Sequence, residues 1–283
     1  MADEFGRQLL TTEQREENRQ RAFEAFKAQW LMLIWNDECL KAEDLLDYAP
    51  AVIAEGPEVA ALRVFTDAHL RHAHSWEVYR RCYDSLPSEV YNPYAYDSNE
   101  HRSVARMQAV RAWARNIPVD GPTLRVLNVG PQDCTLDCDL LTMNPRFHIT
   151  MSEVCSHGRP VMEALHAAVP GRVTLHEPHD YYDWPEGPFD AILFLEVIEH
   201  LPSQETALLE LRRRLAPGGV VLLSTPVSGY WGNDKIHDRP WWMHLHCNSA
   251  PTLIRKLERA GFDGELSKLE DGQYFWAVLR AAA

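Results

Sequence analysis

The chain has 283 residues, 46% of them hydrophobic and 24% charged, which is enough to bury a core and longer than most single domains need. Lys and Arg number 28 against 41 Asp and Glu, a formal net charge of -13. The long-range field therefore repels polyanions and disfavours a nucleic-acid partner. Asp3 and Glu4 stand where a secretory leader carries cations, and no apolar run approaches the roughly 18 residues of a membrane span, so the expected location is cytoplasmic, with no membrane association. Cys39, Cys82, Cys134, Cys138, Cys155 and Cys247 form no CxxC pair, which predicts reduced, structural thiols. Composition does not fix the oligomeric state.

In chain order, Thr11 to Trp35 lacks Gly and Pro and spaces Phe23, Phe26, Trp30, Leu33 and Ile34 three and four apart, the pattern of an amphipathic helix. Helical stretches follow at 41–48, 57–71, 75–83 and 99–117. Between the last two, Tyr91, Tyr94 and Tyr96 lie among Pro and Asn in a loop. His69, His72 and His74 do not share one helix face and read as surface residues. A breaker-rich linker, Ile117 to Pro122, ends this region, and we place a boundary there, with residues 1–118 a helical region and 119–283 a second domain.

Beyond the linker, short apolar runs at Leu124 to Val129, Phe147 to Met151, Val173 to His176, Phe189 to Leu195 and Val220 to Ser224 alternate with helical patterns. The helices fall at Pro160 to Ala168, Gln204 to Leu215 and Pro251 to Ala260. That rhythm predicts an α/β fold with a parallel sheet covered on both faces. Glu265 to Leu269 and Gln273 to Leu279, joined through Asp271-Gly272, predict a closing antiparallel hairpin.

In such a sheet, ligands bind beyond the carboxyl ends of the strands. Gly130, in Asn128-Val129-Gly130-Pro131-Gln132-Asp133, allows close backbone approach after the first strand. The fourth strand runs directly into Glu196-Val197-Ile198-Glu199-His200-Leu201-Pro202, and Leu215-Ala216-Pro217-Gly218-Gly219 leads into a strand ending at Ser224-Thr225-Pro226. The span from Phe189 to Thr225 resembles class I S-adenosylmethionine (SAM)-dependent methyltransferases, especially the branch of the ubiquinone-biosynthesis O-methyltransferases. The likeness extends over Leu124 to Leu279.

The resemblance implies a Rossmann-like fold with a seven-strand, mostly parallel sheet, SAM as cofactor, and a cofactor site formed by Asn128, Gly130, Pro131, Gln132, Glu153, Asp180, Leu195 and Glu196. Glu153 matches the ribose-binding carboxylate, whose oxygens accept both hydroxyl hydrogens, and Asp180 the adenine contact. The family has an acidic residue where Asn128 stands and glycines where Gln132 and Cys134 stand, so a chain that keeps the fold but has lost catalysis is one alternative.

Methyl transfer from a sulfonium is an in-line displacement, which leaves the protein to align the acceptor and remove its proton. His200, of near-neutral intrinsic pKa, suits that base, with Glu196 beside it. The long loop from Gly229 to Asn248 carries Tyr230, Trp231, His237, Trp241 and His244, expected to cover the acceptor and exclude water. The N-terminal helices are expected to cap the same end. The favoured acceptor is a small molecule or saccharide, methylated on oxygen, with no metal. Glu196, Glu199, His200 and His246 also resemble the metal-binding set of small-RNA 3′-end methyltransferases, the second alternative.

Overall fold

The computed structural model describes Trp76, Arg80, Asp84 and residues 102–132, 134–226, 248–269 and 274–282. The helices expected at 11–35, 41–48 and 57–71, the tyrosine loop at 91–96 and the three histidines at 69–74 lie outside these residues.

Helix α1 (Arg102–Arg115) leads through the linker into β1 (Leu124–Val129). There follow α2 (Thr135–Met143), β2 (Phe147–Ser152), α3 (Arg159–Ala168), β3 (Val173–His176), β4 (Phe189–Leu195), α4 (Gln204–Arg214), β5 (Leu215–Pro226), α5 (Ala250–Arg259), β6 (Phe262–Asp263), β7 (Leu266–Lys268) and β8 (Tyr274–Ala281). The sheet order is β3-β2-β1-β4-β5-β8-β6, with β7 on β8. β3 through β5 are parallel, and β8 runs antiparallel to β5, β6 and β7. Strand order reverses between β1 and β4, which opens a crevice at their carboxyl ends.

Period-two alternation sorts the strand residues onto two cores. Val126, Ile149, Met151, Ala191 and Leu193 face α1, α2 and α3, while Leu127, Val129, Ile192, Phe194 and Leu223 face α4 and α5. Most of these are fully buried, each worth about 1.5–3 kcal/mol over exposure. Val110 and Ala114 of α1 sit in the first core, and Trp113 stacks on Phe147 at 5.9 Å, so α1 shares its core with the sheet although it precedes the linker.

Three expectations are corrected. The sheet has eight strands, because the short β6 and β7 both add to β8. β5 begins at Leu215, with an irregular register between Phe189 and Ala191 that accommodates Pro217-Gly218. Helix α2 had no counterpart in the sequence reading: Asp137 and Asp139, both buried, interrupt its apolar face. Asp139 accepts from Arg111 Nε of α1 at 2.9 Å, and Asp137 accepts from the Asn128 amide at 2.9 and 3.0 Å.

Candidate functional site

A cleft of about 660 Å³, its open mouth included, lies at the carboxyl ends of β1, β2 and β4, where open α/β sheets bind their ligands. Gly130, Gln132, Glu153, Asp180, Glu196 and His200 all line it. Sequence positions far apart thus converge because each directly follows a parallel strand or belongs to the loop after one.

The turn after β1 keeps an unusual main-chain shape. Gly130, Gln132 and Cys134 all take positive φ, at 70°, 53° and 58°, a region costing a side-chain-bearing residue roughly 1–2 kcal/mol. A Cβ on Gly130 would stand 3.3 Å from Val197 Cγ2, so glycine answers both conformation and space there. Cys134 offsets its conformational cost by complete burial in the first core.

Glu153 follows β2 directly. Its Oε2 accepts from the Gln132 N–H at 3.0 Å and its Oε1 from the Cys155 N–H at 2.9 Å. Each carboxylate oxygen has two lone pairs, so both can accept once more from a diol in the cleft. Burial raises the Glu153 pKa, opposed by these backbone N–H groups.

The loop after β3 supplies Pro178, Asp180, Tyr181 and Trp184 to the cleft. Buried Arg214 of α4 fixes it, donating to the Trp184 carbonyl from Nε at 3.1 Å and from a terminal nitrogen at 2.9 Å. Asp180 is exposed, and its Oδ1 accepts from the Tyr181 N–H at 2.7 Å. Sequence reasoning missed Tyr181 and Trp184. Their signal was an aromatic cluster in a connection from a strand tip.

At the other end, Glu196 takes φ 55° as β4 ends, a strained conformation of the sort that gathers at functional sites. Its Oε1 accepts from Ser224 Oγ at 2.7 Å, and Oε2 lies 3.6 Å from the Arg106 guanidinium of α1. His200 closes a short helical turn, Ile198–His200, with its Nε2 3.8 Å from Glu199 Oε1. Glu199 is fully buried and accepts from Thr225 Oγ1 at 3.1 Å. Burial, and then the neighbouring Glu196 charge, push its pKa well above the ordinary value.

Three expected cofactor residues stand away from the cleft. The Asn128 side chain turns to Asp137. Leu195 falls by alternation on the α1–α3 face. Pro131 is buried, its carbonyl accepting from the Cys134 N–H at 3.0 Å. Tyr230, Trp231, His237, Trp241, His244 and His246 lie outside the described residues. Among the described residues, no three His, Cys, Asp or Glu side chains are grouped as a metal site, and no helix is long and apolar enough to cross a membrane.

The positive-φ turn and the doubly supported carboxylate one strand away fit an adenosine cofactor. A family model for a methyltransferase domain matches residues 96–266. No curated protein matches the sequence. Among solved structures, the DhpI-SAM-HEP complex superposes with TM-score 0.53 at 16% identity, covering 75% of this chain and 97% of that one. The N-methyltransferase NodS from Bradyrhizobium japonicum, in complex with S-adenosyl-L-homocysteine (SAH), gives 0.51 at 17% identity over 66% of this chain and 90% of that one. The [4+2]-cyclase SpnF gives 0.50 at 15% identity over 62% and 81%. At these identities the superpositions establish the fold.

Proposed function

The chain belongs to the methyltransferase-domain family, and from that premise we propose that it methylates a hydroxyl of a small molecule or saccharide, with His200 as the base. As a family member it is a SAM-dependent methyltransferase, and SAM supplies an electrophilic methyl group on a sulfonium centre. The cofactor residues are Gly130, Gln132, Glu153 and Asp180. Glu153 holds the ribose through its free lone pairs, and Gly130 lets the main chain come close.

One observation carries the assignment of chemistry. Among the described residues, His200 is the one imidazole lining the cleft, and it sits beyond β4, across from Asp180 and the loop after β3. An imidazole there can accept the proton that an acceptor hydroxyl must lose. The Glu199 carboxyl stands next to it, its Oε1 3.8 Å from the ring Nε2. Glu196, held by Ser224 and Arg106, shapes the wall beside His200. Because Arg106 belongs to α1, the region before the linker contributes to this end. On sequence grounds, the Gly229 to Asn248 loop covers the acceptor.

The test has two stages. Isothermal titration of the full chain with SAH establishes cofactor binding. Transfer of labelled methyl groups to a panel of hydroxylated small molecules and saccharides then identifies an acceptor. With that acceptor, His200→Ala should lower turnover by about two orders of magnitude while the dissociation constant for SAH changes little. Near-normal turnover would remove His200 as the base.

A further inference from the structure

Trp76, Arg80 and Asp84 are helical and spaced four apart, so they project from one face, each one turn beyond the last. Each meets a different part of the sheet's carboxyl edge. Trp76 packs edge-on against Tyr181, centroids 5.3 Å apart at 80°. Arg80 donates to Glu177 Oε1 at 3.0 Å, just past β3. Asp84 Oδ1 accepts from the Ser156 N–H at 2.7 Å, past β2, and lies 3.8 Å from Arg80. Glu177 is held from its other side by Arg159, whose hydrogen bond keeps this carboxyl below its ordinary pKa.

Trp76 lines the same cleft as Gly130, Glu153 and His200. A cofactor whose ribose rests on Glu153 and whose reactive end faces His200 beyond β4 must send its adenine the other way, toward β3. There stand Asp180, Tyr181 and Trp76. From this we infer that Trp76 forms a wall of the adenosine end of the cofactor site and that Arg80 and Asp84 latch it in place, so that SAH leaves only when the latch opens. The inference rests on the cofactor reading given above.

The division of labour follows from burial. Arg80 and Asp84 are 38% and 30% exposed, and partly exposed ion pairs contribute little each, so the latch opens readily. Trp76 supplies the affinity, because stacking on an adenine is tolerant of detail and large in effect. The region before the linker thereby serves the cofactor as well as the acceptor: Trp76 at the adenosine end, Arg106 beside Glu196 at the other.

The test uses the full chain and SAH, with titration calorimetry for affinity and stopped-flow tryptophan fluorescence for dissociation. Trp76→Ala should weaken SAH binding about tenfold or more, and Trp76→Phe should restore most of it. Arg80→Gln should speed SAH dissociation by about two- to fivefold. If Trp76→Ala does not fold, Trp76→Leu, which keeps volume against Tyr181, is read in its place. A folded Trp76 variant that binds SAH within twofold of the wild type overturns the wall. An unchanged dissociation rate in Arg80→Gln overturns the latch. A wild-type chain that takes up no SAH overturns the cofactor reading itself, and this inference with it.

Discussion

Asp139→Ala tests how the fold holds the cofactor turn in shape. Arg111 and Asp139 are 5% and 2% exposed. Arg111 Nε donates to Asp139 Oδ2 at 2.9 Å, and a second guanidinium nitrogen contacts the same oxygen. Removing the carboxylate breaks this buried ion pair from one side only, which costs about 3–5 kcal/mol. Against a total stability of about 5–15 kcal/mol, that is a large fraction. Urea denaturation followed by circular dichroism measures it. The paired change Arg111→Met with Asp139→Leu should recover most of the loss, since apolar side chains of similar volume replace a buried pair at little cost. A loss below about 1 kcal/mol in Asp139→Ala would refute the reasoning. The variant should also bind SAH more weakly at temperatures where it remains folded. Asp137, two residues earlier on α2, anchors Asn128, and α2 begins at the strained Cys134.

Two further outcomes are expected. Gly130→Ala places a Cβ 3.3 Å from Val197 Cγ2 at φ 70°, so it should destabilise the fold by about 1–2 kcal/mol and weaken SAH binding measured by calorimetry; wild-type affinity would mean that the turn adjusts freely. Glu199→Gln tests the buried carboxyl. Its folded pKa is raised by burial and by Glu196, so its contribution to stability is fully present below the ordinary value of 4.5 and is lost as pH rises through the elevated value. The variant, which cannot ionise, should therefore gain on the wild type as pH climbs above that ordinary value, read as the difference between their thermal midpoints across pH. Parallel pH profiles would show that Glu199 is not the titrating group.

Much of the frame was legible because buried parallel strands are continuous apolar runs. Phe189 to Leu195 could hardly be anything else, and the polar residues crowded after it had to emerge at a strand tip. What escaped notice had its apolar pattern broken by buried charge. In α2, Leu136, Leu140 and Leu141 enter the first core, but Asp137 and Asp139 share their buried surroundings, and a reading by periodicity assigns such acids to solvent. Only the partner, Arg111, 28 residues earlier, makes Asp139 intelligible. Trp76 was illegible for a related reason: nothing local tells a helix residue that it meets a loop about a hundred positions later.

The same limit bears on the missing glycines. From sequence, Asn128, Gln132 and Cys134 leave open a chain that keeps the fold but has lost catalysis. The structure keeps the shape without the glycines, holding both residues at positive φ. Two local interactions make that affordable: the Cys134 side chain is wholly buried in the core, and the Gln132 N–H is fixed on Glu153. A turn tied to the carboxylate proposed to hold the ribose is a turn whose conformation and ligand depend on one another. Relaxed glycines would lower the strain but release that coupling, since glycine leaves more conformational freedom to be lost on folding. The departures from the family's glycine pattern therefore argue for a preorganised site rather than a ruined one.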